Sequence, residues 1–253
     1  EVIYRDEYLV AINKPSGLLV HRSPIDRHET RYALQLVRDQ IGQHVYPVHR
    51  LDKPTSGVLL FALSSDSARE LSGQFAAGGV RKHYLAVVRG HCPQEGCIDY
   101  PLREERDRIA DRDRGSELPA QDAITRYRRL ATIELPLAVE RYPQTRYSLV
   151  ALQPETGRRH QLRRHMKHIG YPLIGDAKHG KGIHNRFFRT QYGCHRLLLA
   201  CTAMAFVHPA SGQPLALQAA LDAPFQHVLE AFGWLGLPPT RSQAVTIAKG
   251  WGD

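Results

Sequence analysis

Short alternating runs of apolar and polar residues dominate the chain, and their spacing predicts strands more often than helices. Val2-Ile3-Tyr4 and Tyr8 to Ile12 flank the polar turn Arg5-Asp6-Glu7, which reads as a hairpin running into Asn13-Lys14-Pro15-Ser16-Gly17. Tyr46 to Val48 and Val58 to Leu63 predict two short strands around a loop centred on Asp52. Ser67-x-x-Glu70 reads as a capping box opening a helix through Ala68, Leu71 and Phe75 that stops at Gly78-Gly79. Further strands are expected at Arg81 to Gly90, Ala123 to Leu130 and Arg146 to Leu152, followed by a helix from about Arg158. Ala203 to Val207 and Leu215 to Leu217 flank His208-Pro209-Ala210-Ser211-Gly212 as a hairpin, and Asp222 can cap a last helix, Pro224 to Phe232. Arg103 to Arg114 is almost entirely charged and lacks apolar periodicity, so 103–122 is expected to be a solvated insertion loop. Many strands with few scattered helices make an α+β fold, not a doubly wound sheet. No linker or repeat divides the chain, so one domain is expected across 1–253.

Composition narrows the partner. Among 253 residues, 34 Lys and Arg against 25 Asp and Glu give a formal charge of +9, before any of 14 His is counted. That balance favours a polyanion, with nucleic acid ahead of an anionic membrane surface. No apolar stretch approaches the roughly 18–20 residues that span a bilayer. Cys92, Cys97, Cys194 and Cys201 form no Cys-x-x-Cys pair, which argues against structural zinc and for reduced thiols in a cytoplasmic protein. No Gly-x-Gly-x-x-Gly or Walker-type loop occurs, so no nucleotide cofactor is expected.

Candidate chemistry gathers at three places. In His49-Arg50-Leu51-Asp52-Lys53-Pro54-Thr55-Ser56-Gly57 a carboxylate sits between basic neighbours, which are expected to hold it ionised and suited to a nucleophile. From Arg158 to His168, eight of eleven residues are Arg, Lys or His. On a helix, Leu162, Met166 and Ile169 form the buried stripe and Arg163 lies at its border, where a carboxylate partner is needed; Asp52 is the candidate. Arg164, Lys167 and His160 face the other way, toward phosphates. His160, His165 and His168 do not converge as metal ligands, and no metal site is expected. The third place is Lys82-His83-Tyr84, where Tyr84 is either sheet packing or a flat face for a base, with Lys82 at its head.

These stretches together resemble the RluA-type family of RNA pseudouridine synthases. The resemblance rests on Asn13 to His21, His49-Arg50-Leu51-Asp52 with Ser56-Gly57, Lys82-x-Tyr84-x-Ala86, and Ala123-x-Thr125-x-Tyr127. It continues through Thr156-Gly157-Arg158-x-His160-Gln161-Leu162-Arg163, Gly175-Asp176 with Gly180, and His208-Pro209. It implies a mixed, largely antiparallel sheet with flanking helices and a basic central cleft. It also implies that Asp52 is the catalytic aspartate, that Tyr84 lies under the target base and that Arg163 pairs with Asp52. Arg50 would help extrude the nucleotide, and Lys82, Arg158, Arg159, Arg164 and Lys167 would contact RNA. Further features, including Arg141-Tyr142-Pro143-Gln144-Thr145-Arg146-Tyr147 and Phe232-Gly233-Trp234, are similar to members that modify uridine 65 in the acceptor stem of tRNA. A tRNA substrate and a monomer without an obligate protein partner or cofactor are therefore expected. The N-terminal S4-type domain of many relatives is not expected here. Where relatives read Leu-His-Ala, this chain has Leu199-Ala200-Cys201. An enzyme acting on ribosomal RNA, or a non-enzymatic RNA-binding protein, would share much of this pattern. The second would not need Asp52, Tyr84 and Arg163 together. Asp176 is expected to be a structural turn residue.

Overall fold

Ten strands form one sheet in the computed structural model, which describes residues 1–22, 28–104 and 119–237. Most of the expected charged insertion, 105–118, lies outside the described residues. The main path runs β1 (Val2–Arg5), β2 (Leu9–Lys14), β4 (Ser56–Ala62), β9 (Leu199–Val207), β5 (Arg81–Arg89), β8 (Thr145–Pro154), β7 (Ile124–Leu135) and β6 (Glu95–Asp99). β3 (Tyr46–Pro47) joins β4, and β10 (Pro214–Gln218) joins β9. The β4–β9 pairing is parallel; the other strand pairings described are antiparallel. The α+β expectation and its largely antiparallel sheet are the observed architecture.

β4 is buried along its whole length. Its continuous apolar run therefore marks a strand covered on both faces, with α2 (Ser65–Ala76) packed nearby and α1 (Ala33–Ile41) contributing Ala33 and Val37 to the same apolar cluster. A second cluster joins β5 and β8 to α4 (Gly182–Tyr192) and α5 (Ala223–Ala231) through Val87, Leu149, Phe188 and Phe225. A third seats α3 (Gln161–His168) on the sheet through Leu162 and Met166.

One register row positions the site. Gly57 of β4 pairs with Cys201 of β9, Cys201 with Tyr84 of β5, and Tyr84 with Leu152 of β8. The Asp52 loop enters β4 immediately before this row, and α3 follows β8 at the same end. Gly57 makes the junction possible, with φ of 110° and no room for a side chain: a Cβ would lie 2.0 Å from the Cys201 carbonyl oxygen. Gly57→Ala is expected to cost on the order of 4 kcal/mol or more, through combined strain and backbone collision. A melting temperature near that of the unsubstituted protein would contradict this packing.

Several boundaries differ from the sequence reading. α2 is capped by Ser64, whose side chain accepts the Ser67 N–H, so Ser67 lies in the first turn instead of capping it. α3 begins at Gln161, after a left-handed His160, and not at Arg158. β9 reaches back to Leu199, four residues before the expected start. Helices α1 and α4 and strand β6 were not anticipated; neither helix has a side-chain N-cap bond.

Candidate active site

The loop carrying Asp52 is fixed from beneath by the end of β2. Lys14 is fully buried, and its Nζ donates to the carbonyls of Pro15 (3.0 Å), Leu18 (2.7 Å) and Lys53 (3.1 Å). Three carbonyls satisfy the three donors of an ammonium. Burial is the largest influence on Lys14 and, with the charge of Arg196, brings it down to about 7; the charge of Asp52 opposes them. The Gly17 N–H donates to the Lys53 carbonyl (2.8 Å) and Ser16 Oγ to the Pro54 carbonyl (2.7 Å). The sequence motif Asn13 to Gly17 is thus the footing of the Asp52 loop, a role the sequence reading did not assign to Lys14.

The ion pair described at Asp52 is not with either flanking base. Lys53 pairs with Glu29 at 3.0 Å, and Arg50 is exposed at the mouth of the cavity. The charge comes from α3: Arg163 Nη1 lies 3.1 Å from Asp52 Oδ2. Arg163 does more than this single contact. Its Nε and Nη2 bond both oxygens of Asp176 at 2.7 and 2.8 Å, a bidentate fork. Asp176 is buried and also accepts the backbone N–H groups of Lys178 and His179 (both 2.9 Å). It is a turn residue as expected, and also the stronger partner of Arg163. Burial would raise the Asp176 carboxyl; hydrogen bonds and charge from Arg163 outweigh that and hold it below the usual range. Burial likewise works against the Arg163 charge, while Asp176 and then Asp52 raise its pKa.

The turn bearing Asp176 depends on Gly175, where a Cβ would meet the Arg196 carbonyl oxygen at 1.9 Å. Arg196 continues the frame. It pairs with Asp222, the N-cap of α5, and its Nη2 donates to Ser56 Oγ at 2.9 Å, at the start of β4.

A cavity of about 660 Å³ opens over these groups. Asp52, Tyr84 and Arg163 line it together with Arg50, Lys82 and Arg158. Arg159, Arg164 and Lys167 do not. Arg164 donates to the Arg103 carbonyl at 2.8 Å, and Lys167 is exposed. Lys82 is only partly exposed and lines the cavity, and burial lowers its pKa. Burial, followed by the hydrogen-bonded Cys201 sulfur and the charge of Asp52, pushes the Tyr84 phenol well above its ordinary value; it enters the site neutral. Burial also pushes the Cys201 thiol up to about 12, which makes it a neutral packing group.

The entrance to α3 is organised by Gln161, a motif residue to which the sequence alone assigns no role. Its amide oxygen accepts from Arg158 N (2.9 Å) and Thr156 Oγ1 (2.7 Å), while its nitrogen donates to the Ile124 carbonyl (2.9 Å) and Thr125 Oγ1 (3.0 Å). His160, expected to face away, instead lines the cavity with Nε2 3.9 Å from Asp52 Oδ2.

His49 is a structural member of the Asp52 loop. Its Nε2 accepts the Leu60 N–H at 2.9 Å, and its ring stacks on Phe75 with centroids 4.7 Å apart. Burial, then the Lys82 charge, lowers it to about 3; burial, then Arg81, lowers His83 to about 4. Unfolded histidines titrate near 6.5, so below that pH the unfolded chain binds protons that the fold refuses. Stability should therefore fall as pH drops from about 6.5 toward 4. Thermal melts at pH 7 and pH 5 should show the loss. The loss should be smaller in His49→Gln, whose amide oxygen can accept the Leu60 N–H without titrating. Equal losses in both proteins would contradict the assignment.

Residues 8–168 match the family model described as RNA pseudouridylate synthase. The chain belongs to this family. It is 53% identical over 234 residues to tRNA pseudouridine synthase C of Vibrio cholerae, covering 92% of this chain and 96% of that protein. It is 57% identical over 239 residues to tRNA pseudouridine synthase C of Pectobacterium carotovorum, covering 94% of this chain but only 64% of the relative's length. Among solved structures, Human RNA Pseudouridylate Synthase Domain Containing 4 matches with a TM-score of 0.68 at 26% identity, covering 90% of this chain and 91% of that one. Human RNA Pseudouridylate Synthase Domain Containing 1 shares the fold with a TM-score of 0.71 at 20% identity, covering 100% and 96%. The enzyme class is that of the family: an isomerase, an RNA pseudouridine synthase. Among the described residues, no helix is long and apolar enough to cross a membrane.

Proposed function

We propose that this pseudouridine synthase acts on tRNA, at uridine 65, with Asp52 carrying the chemistry. The observation behind the site assignment is the Asp52–Arg163–Asp176 arrangement, in which Asp52 faces a cavity also lined by Tyr84 and Arg163 while Asp176, buried behind them, is fully engaged by Arg163. The choice of tRNA is supported by relatives more than 50% identical over nine-tenths of the chain, whose names state that substrate.

Pseudouridine formation breaks the N1–C1′ bond, turns the uracil and rejoins it through C5 with loss of the C5 hydrogen, so no redox change or energy source is required. The uridine first leaves its stack, because side chains cannot reach it inside an A-form stem. Extrusion costs a few kcal/mol. Arg50 and Arg158 at the cavity mouth offset this through phosphates, Tyr84 by stacking, and Lys82 by a contact inside. Asp52 then acts as an anion, whether at C1′, at C6 or on the C2′ proton; each route begins from the carboxylate that Arg163 holds. A glycosidase would need a second free carboxylate in the cleft; Glu155, which also lines the cavity, pairs with Arg126, and Asp176 is committed to Arg163.

The substrate assignment is tested by incubating the purified enzyme with unmodified tRNA transcripts and with ribosomal RNA fragments. Carbodiimide labelling and primer extension then locate pseudouridine. A new stop at tRNA uridine 65, with none on the ribosomal fragments, is expected. A stop only on ribosomal RNA would overturn the tRNA assignment.

A further inference from the structure

We propose that His160, oriented by His179, is a positioning residue that donates its Nε2–H to Asp52 during the reaction. The inference rests on Asp52 carrying the chemistry and adds a second group that aims its carboxylate.

The backbone gives the first indication. His160 is the one non-glycine residue with positive φ among those described (φ 56°, ψ 23°), and it occupies the N-cap of α3 without making a side-chain cap bond. A left-handed conformation is costly for a β-carbon-bearing residue, and helix N-caps favour Ser, Thr, Asp or Asn. Strain of this kind at a cavity wall points to a demand on the side chain. The conformation turns the imidazole toward Asp52 instead of along the outer helix face.

The second indication is a closed circuit of polar contacts. His160 Nε2 lies 3.9 Å from Asp52 Oδ2, and His160 Nδ1 lies 3.1 Å from His179 Nε2. His179 is buried, and its backbone N–H holds Asp176 Oδ1. Asp176 clamps Arg163, which returns to Asp52 Oδ2. In the neutral pair one proton lies between the two imidazoles. A carboxylate facing Nε2 of His160 favours the tautomer with its proton there, in which Nδ1 accepts and His179 Nε2–H donates. Contacts of this type are often long in a free enzyme and shorten once substrate is bound. Arg163 and His160 both converge on Oδ2, which leaves Oδ1 as the oxygen available to react. The two histidines are joined directly, nitrogen to nitrogen, as a hydrogen-bonded pair.

The test uses His160→Asn, His160→Gln, His179→Phe and the double variant His160→Asn/His179→Phe, with Asp52→Asn alongside. Asn tolerates the left-handed backbone and can keep the His179 contact, but it is too short to reach Asp52; Gln places an amide nitrogen where Nε2 stood. Single-turnover tritium release from a 5-tritiated tRNA transcript gives the rate and the half-saturating RNA concentration, and thermal melts report the fold. His160→Asn should keep its melting temperature and half-saturating concentration while its rate falls about 10–100-fold, as expected for a misaimed reacting group. His160→Gln should recover part of the rate. His179→Phe should lose less than His160→Asn, and the double variant should be no slower than His160→Asn alone, because both act through one contact. A wild-type rate in His160→Asn, or a loss matched by a lower melting temperature with no recovery in His160→Gln, would overturn the proposal. If Asp52→Asn turned over, the reading of Asp52 would fall and this inference with it. An inactive Asp52→Asn beside a fully active His160→Asn would overturn this inference alone.

Discussion

Asp52→Asn is expected to abolish turnover while leaving RNA affinity within a few-fold of wild type. The amide has the size of the carboxylate but neither its charge nor its basicity, so it can neither attack carbon nor take a proton. The fold should tolerate the change, because Arg163 keeps its two contacts to Asp176 and so remains paired. In the proposed reading RNA is held by basic groups at the cavity mouth, and phosphate contacts position without performing the chemistry. Filter binding and tritium release on the same preparation separate the two effects: a loss of binding proportional to the loss of turnover would make Asp52 a binding residue.

Arg163→Ala is expected to lose both activity and stability. Its guanidinium is almost completely buried and serves Asp52 and Asp176 at once, and Asp176 is only 2% exposed. Removing it strands a buried carboxylate, which costs on the order of 3–5 kcal/mol, a large share of the roughly 5–15 kcal/mol that holds a domain folded. Arg163→Lys should recover part of the stability but little of the rate. One ammonium cannot reproduce the fork on Asp176 and the separate contact to Asp52. Melting temperatures at neutral pH, together with turnover measured well below the transition, check both statements. A stable and active Arg163→Ala would break the account of how the carboxylate is held.

The parts of this architecture that were legible in the sequence are those set by local rules. Hairpin β1–β2 shows because apolar alternation breaks at Arg5-Asp6-Glu7, and α5 shows because Asp222 stands before Pro224 and Phe225. The stripe of Leu162 and Met166 gave the buried side of α3 correctly. Helices α1 and α4 were missed because Tyr32 and Lys181, at their N-caps, carry no capping signal. Long-range partners were harder. Asp176 is thirteen residues from Arg163, beyond any helical or strand spacing, so nothing local marks the fork. Lys14 resembles an exposed cation next to a Pro; it is buried only because three carbonyls from two loops converge on it. A helix beginning at Arg158 puts His160 on the outer face. A single left-handed residue moved the helix start and turned that ring into the cavity.

The central claim is that this chain makes pseudouridine at tRNA uridine 65 through Asp52. Its most direct test is a strain deleted for the gene, given back either the wild-type chain or Asp52→Asn, with total tRNA mapped by carbodiimide labelling and primer extension. The account predicts that the stop at uridine 65 is lost on deletion, returns with the wild-type chain and stays absent with Asp52→Asn at matched protein levels. A stop that persists on deletion, or one restored by Asp52→Asn, would contradict it.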